Sequence, residues 1–228
     1  MQKIVIAIDG FSSTGKSTVA KLLARSLGYI YVDTGAMYRA VTYFALKNEC
    51  ILEGVLDKDK LISNLDHIEI SFVFNIDLGF AEVYLNGKNI EKHIRTLEVS
   101  KYVSHVAEIS EVRRKLVQQQ QLMGKDKGVV MDGRDIATVV FPEAELKIFM
   151  TASAETRAKR RFKELLERGH NLSYDEVLEN VVTRDKIDST REDSPLVKAN
   201  DAIEFDNSFM TIEEQLGAIQ QLVAEKIK

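Results

Sequence analysis

Residues 4–18 read IVIAIDGFSSTGKST. Ile4 to Ile8 is a short, largely β-branched apolar run, the pattern of a strand, and Asp9-Gly10 ends it. From Lys16 onward the apolar residues Val19, Leu22, Leu23 and Leu27 recur at helical spacing, and Gly28 closes the run. Between strand and helix stands Gly10-x-x-x-x-Gly15-Lys16-Ser17. In such a loop the glycines let backbone N–H groups converge on phosphate oxygens at a helix N-terminus, while a lysine adds a point charge and a hydroxyl ligates magnesium. The expectation is that Gly10, Ser12, Ser13, Thr14, Gly15, Lys16, Ser17 and Thr18 hold the phosphates of a nucleoside triphosphate such as ATP. Ser17 is the candidate Mg²⁺ ligand.

Working outward, Tyr29 to Val32 is a second apolar run, followed by DTGAMYR and helical spacing to about Asn48. GVVMD at 128–132 and LKIFMTA at 146–152 read as buried strands, and AIEFDN at 202–207 as a fifth. Helical stretches lie between them, at about 98–123 with a break near Ile109-Ser110 that Ser110 caps, at 154–168, and beyond two capping boxes, Ser173-x-x-Glu176 and Thr211-x-x-Glu214. Alternating strands and helices predict an α/β fold with a five-stranded parallel sheet flanked by helices. From Leu65 to Ile90 the period changes to two, with Ile68, Ile70, Phe72 and Phe74 on one side and Asn86-Gly87 as a hairpin turn, which predicts a small inserted antiparallel lobe. The expected organisation is a core of 1–60 and 97–228, an inserted lobe of 61–96, and a helical lid at about 154–190.

The totals narrow the function class. The 228 residues can bury a sizeable core, and no stretch approaches the roughly 18 consecutive apolar residues of a membrane span. The N-terminus shows no secretory pattern, so a soluble cytoplasmic protein is expected. A net charge of −4 disfavours a duplex nucleic-acid binder. Cys50 is the single cysteine and the four histidines lack metal-ligand spacing. No guanine-reading Asn-Lys-x-Asp is present, which argues against a GTPase switch.

Outside the loop the residues suited to chemistry are mostly arginines. Arg39 lies one turn into the helix after the second strand, where parallel strands converge on a ligand crevice. Asp132 ends an apolar strand where a carboxylate would sit near magnesium and Lys16, and Gly133 permits a turn that presents Arg134 and Asp135. Arg157, Arg160 and Arg161 share one helical face, within a stretch of 157–168 holding six basic residues against two acidic ones. Arg184 and Asp188 are four apart, with Arg191 one turn further. Taken singly, Arg39 reads more readily as a surface arginine, while a polar βα turn at 132–135, a solvated helix face at 157–161 and a surface ion pair at 184–188 are the plain alternatives. Taken together with a triphosphate loop, they suit transfer between two phosphate-bearing partners, because anions that repel must be held in contact. A phosphate monoester acceptor, ionised at pH 7 with a second pKa of about 6, needs no general base.

DTGAMYR, DGRDIATVVFP, and Arg-Asp-x-x-Asp-x-x-Arg at 184–191 with Ser-Pro-Leu just beyond resemble the bacterial cytidylate kinases over essentially the whole chain. The resemblance implies a nucleoside monophosphate kinase fold and the reaction of ATP with CMP or dCMP, with Mg²⁺. It further implies that Arg39, Arg134 and Arg191 hold the acceptor phosphate, with Thr34 near it, and that Ser104, Arg113 and Asp135 read cytosine. Arg184 and Asp188 would bind the ribose hydroxyls. Arg157, Arg160 and Arg161 would close over the triphosphate and, with Lys16 and Arg134, stabilise the migrating group. The chain departs from the family pattern at Phe11, often proline, at Ser13-Thr14, usually smaller, and at Ala137, usually glycine. A monomer is expected. The rival readings are a kinase for UMP, TMP or a coenzyme precursor, and an ATP-binding switch module.

Overall fold

A computed structural model describes residues 2–227. In chain order the elements are β1 (Val5–Gly10), α1 (Lys16–Leu27), β2 (Ile30–Asp33), α2 (Thr34–Lys47), β3 (Ile51–Leu52), β4 (Val55–Leu56) and α3 (Lys58–Ser63). They continue with β5 (Ile70–Asn75), β6 (Phe80–Leu85), β7 (Lys88–Asn89), α4 (Leu97–Val106), α5 (Ser110–Met123) and β8 (Val129–Gly133). The last are β9 (Leu146–Thr151), α6 (Ala154–Glu167), α7 (Tyr174–Thr190), β10 (Ile203–Asp206) and α8 (Ile212–Lys226). Two compact units result, one formed by the chain up to Asp33 and from Gln120 onward, the other by Thr34–Gln119.

The first unit is built on a wholly parallel five-stranded sheet in the order β10-β9-β1-β8-β2. β1 is buried along its whole length because it is the central strand. Ile6, Ile8, Val130, Leu146 and Ile148 from the sheet pack with Val19 and Leu23 of α1 and Ile219 and Val223 of α8. Burying each such side chain contributes about 1.5–3 kcal/mol, which is why these helices keep their apolar stripes against the sheet. The register pairs Ile8 with Asp132, Asp33 with Asp132, and Gly10 with Met150, so the carboxyl ends of four strands finish level. Polar residues at those ends therefore collect along one edge, where ligands bind in open α/β sheets.

The helix ends follow their local sequence. Gly28 stops α1 in the left-handed region at φ 65, and both predicted capping boxes form, at Ser173/Glu176 and Thr211/Glu214. Ser110 is instead the first helical residue of α5, because the N–H of Arg113 already bonds the Ile109 carbonyl. α7 runs on to Thr190, so Arg184 and Asp188 both lie within it. Among the described residues no helix is long and apolar enough to cross a membrane.

The second unit contains α2, the β3/β4 hairpin, α3, a three-stranded antiparallel sheet β5-β6-β7, and α4. The 61–96 stretch lies inside it. Asn86 and Gly87, at φ 49 and 74, make the tight turn between β6 and β7 that their sequence favours. The period-two stripe of β5 holds only at its start. Ile68 and Ile70 are buried, Phe72 is half-buried, and Phe74 is 64% exposed. The β3/β4 hairpin was not expected, since Glu53 occupies a left-handed position (φ 48) usually filled by Asn, Asp or Gly.

Candidate active site

β1 delivers the chain into the phosphate loop at Gly10, whose φ is 144 and where a Cβ would lie 2.1 Å from the Met150 carbonyl oxygen of the neighbouring strand. Only glycine fits that approach. Gly15 (φ 92) precedes α1, and its carbonyl accepts the N–H groups of Thr18 and Val19. Ser13 is left-handed at φ 62, and the Thr14 hydroxyl donates to the Phe11 carbonyl at 3.1 Å. The loop's substituted residues are thus used internally. Lys16 Nζ donates to the carbonyls of Gly10 and Phe11 at 2.8 and 2.6 Å and lies 3.3 Å from Thr14 Oγ1. Burial, then the nearby Arg134, lowers its pKa to about 7 against the pull of Asp132 and Asp9.

Asp132, the penultimate residue of β8, lies beside this loop. Ser17 Oγ donates to Asp132 Oδ2 at 3.0 Å, and the Tyr31 hydroxyl donates to Oδ1 at 2.7 Å. Burial and the adjacent Asp33 push the Asp132 carboxyl up to about 6. Burial and the same two carboxylates hold the Tyr31 phenol well above its usual range. A hydroxyl touching a buried carboxylate, with a second carboxylate in the same field, is a hard-oxygen donor set suited to Mg²⁺. Among the described residues no cluster of three or more His, Cys, Asp or Glu is arranged to hold a metal, so the remaining ligands would be water and phosphate oxygens.

Sequence reasoning missed Asp9, because Asp-Gly reads locally as a turn. The residue is 2% exposed, and its two oxygens accept the N–H groups of Ile136 and Ala137 at 2.9 and 2.8 Å. Burial pushes its carboxyl up to about 7 in spite of those bonds. The bonds fasten the start of a π-helical turn, Ile136–Val140, directly after Arg134 and Asp135. Ala137 does not have positive φ, so alanine at this position carries no backbone strain.

In the same unit the arginines are largely buried and grip the loop. Arg157 donates from Nη1 to the Ser12 carbonyl (3.2 Å), Arg184 from Nη1 to the Ser12 hydroxyl (2.8 Å), and Arg160 from Nη1 to the Thr14 carbonyl (3.1 Å). Arg160 also binds the Oδ1 and carbonyl of Asn207, whose Nδ2 donates to the Thr14 carbonyl at 2.7 Å. Asn207 is a second residue with no local signal to single it out, since it simply follows a strand. Arg161 pairs with Glu164 at 2.8 Å and is buried, so α6 does not present a merely solvated basic face. Arg134 donates from Nε to Asp188 Oδ2 at 2.8 Å. Although burial acts the other way, Asp188 raises the pKa of Arg134, and Arg134, Arg184 and Arg191 lower that of Asp188. Burial brings Arg184 down to about 10. Arg191 donates from Nε and Nη2 to the Ser194 carbonyl, which shapes the Ser-Pro-Leu turn, and Asp135 is buried beside the π-helical turn.

In the second unit Thr34 opens α2 and is buried. Arg39 is no surface arginine: it is 8% exposed and donates from Nη1 to the Ile94 carbonyl and to Ser100 Oγ. Ser104 on α4 is buried. Arg113 on α5 is buried too, donates to the Ala107 carbonyl at 3.2 Å, and lies 5.7 Å over the Tyr38 ring.

A family model described as cytidylate kinase matches residues 6–225. The cytidylate kinase of Flavobacterium johnsoniae is 66% identical over 228 residues, covering 100% of this chain and 99% of that protein. That of Flavobacterium psychrophilum is 67% identical and covers 98% and 99%. Among solved structures, an uncharacterized protein from Eubacterium ventriosum has TM-score 0.51 at 11% identity, covers 98% of this chain and 99% of its own, and supports the fold alone. With the motifs matched from end to end, the chain belongs to the cytidylate kinase family.

Proposed function

We propose that this protein transfers the γ-phosphoryl group of ATP to CMP or dCMP, giving ADP and CDP or dCDP. The observation that carries the reading is the phosphate loop gripped by the buried Arg157 and Arg184 and the half-buried Arg160, in a chain about two-thirds identical to named cytidylate kinases. Lys16, Arg134, Arg157, Arg160 and Arg161 supply positive charge where the two phosphates repel and where charge spreads over the migrating group. Ser17, with Asp132 beside it, would hold Mg²⁺, which when bound would supply positive charge to the triphosphate oxygens.

Arg39, Arg134 and Arg191 bind the acceptor phosphate, with Thr34 beside it. Ser104, Arg113 and Asp135 read cytosine, whose amino donor at N4 and acceptors at N3 and O2 match a carboxylate, a guanidinium and a hydroxyl, whereas uracil presents N3–H and O4. Arg184 and Asp188 take the ribose hydroxyls. The 61–96 lobe and the 154–190 lid close on bound substrate and exclude water, which would otherwise compete for the γ-phosphate. The protein acts as a cytoplasmic monomer.

ADP release is measured with CMP, dCMP, UMP, AMP, GMP and TMP in turn. CMP and dCMP should give the highest kcat/KM, exceeding UMP by roughly a hundredfold or more if the base pocket works through hydrogen bonds. ADP formation at the same rate without any monophosphate would refute the kinase reading, and equal rates with UMP would refute the base assignment.

A further inference from the structure

Phe11 is the loop residue that the transfer reaction leaves without a task. Its main chain and side chain do different things. The carbonyl accepts from Lys16 Nζ and from the Thr14 hydroxyl, contacts that any residue at this position retains. The ring, half-buried, stands edge-on to Phe149 of β9 at 6.0 Å and 80°. On its face lies the guanidinium of Arg157, 5.2 Å from the ring centroid.

Arg157 is 4% exposed, and its polar contacts lie around the edge of its guanidinium. Nε donates to the Ala152 carbonyl at 2.9 Å, Nη1 to the Ser12 carbonyl at 3.2 Å, and Nη2 pairs with Asp185 Oδ2 at 2.7 Å. In-plane bonds of this kind leave the direction perpendicular to the plane unrestrained. An aromatic face supplies that restraint through its quadrupole, and more strongly where water is excluded. An aliphatic side chain could fill the same space but offers no such attraction.

We propose that Phe11 is a positioning residue whose ring face fixes the guanidinium of Arg157 against the phosphate loop, and thereby sets the rate of phosphoryl transfer. The proposal rests on the reading of Arg157 as a charge-stabilising group in that transfer. It ties α6 to the loop through one aromatic residue placed where the family often has proline.

The test compares Phe11→Leu, the second ring-free variant Phe11→Met, and the conservative Phe11→Tyr, each in the full chain. Ring-free variants should lose roughly tenfold in kcat, with KM for CMP unchanged, whereas Phe11→Tyr stays within about twofold of wild type. In an Arg157→Ala background the loss from Phe11→Leu should shrink to less than about twofold, since the ring then has nothing to hold. Independently of any acceptor, the Arg157 Nε–H resonance should carry a ring-current shift in wild type and Phe11→Tyr and lose it in the ring-free variants. Wild-type kcat in the ring-free variants, equal losses in the tyrosine variant, or an undiminished effect in the Arg157→Ala background would overturn the proposal. If the wild-type enzyme phosphorylated no monophosphate, the functional reading would fall, while the resonance would still decide whether the ring holds Arg157.

Discussion

Replacing Asp9 by asparagine sets two physical effects against each other. The carboxylate accepts two backbone N–H bonds, which favour its ionised form, yet it is almost wholly buried, which disfavours it. Asp135 and Lys16 face it with opposite signs, the first raising and the second lowering its pKa. Burial wins, and the pKa rises from 3.8 to about 7. A carboxyl with a raised folded-state pKa contributes stability that is fully present below pH 3.8 and is lost as the pH climbs through about 7. The shift is worth about 4 kcal/mol over the whole window, at no more than about 1.4 kcal/mol per pH unit. Asparagine does not titrate. Like the protonated acid, it offers one good acceptor and leaves one buried N–H poorly satisfied, at about 1–3 kcal/mol. Urea unfolding at pH 5, 6, 7 and 8 should therefore show the variant gaining on wild type by about 2 kcal/mol between pH 5 and 7, with little further change at pH 8. A stability difference independent of pH would refute the reasoning, as would a variant that loses ground as the pH rises, because the N–H bonds would then outweigh burial.

Two other substitutions probe the site and its frame. Arg134→Ala should lower kcat by roughly a hundredfold or more, while its loss of the Asp188 pair costs about 3 kcal/mol of folding stability; near-normal turnover in the folded variant would exclude Arg134 from the transfer step. Gly10→Ala would drive a methyl group into the Met150 carbonyl, so a loss of more than about 3 kcal/mol is expected, seen as a drop of roughly 6–12 °C in Tm or as failure to fold. A wild-type melting curve would contradict the close approach of β1 and β9.

Features settled within a few residues along the chain are legible before any fold is known. The spacing Gly10-x-x-x-x-Gly15-Lys16-Ser17 behind an apolar run specified strand, loop and helix; Gly28 and the Ser173 and Thr211 capping boxes set helix ends; Asn86-Gly87 marked its turn. Those signals are legible because helix periodicity, caps and tight turns draw on groups three or four residues apart. Tertiary structure decided which distant groups share a bond. Asp9 reaches amides 127 and 128 residues away, Asn207 reaches a loop carbonyl 193 residues away, and Phe11 meets Arg157. None of these follows from composition or spacing, because each depends on the lateral order β10-β9-β1-β8-β2 and on its level register. Arg39, Arg157 and Arg184 likewise had a plain reading as solvated charges along the chain, and the fold buries all three. A polar residue's local sequence states only what it can bond; the strands packed beside it decide whether water or protein supplies the partner.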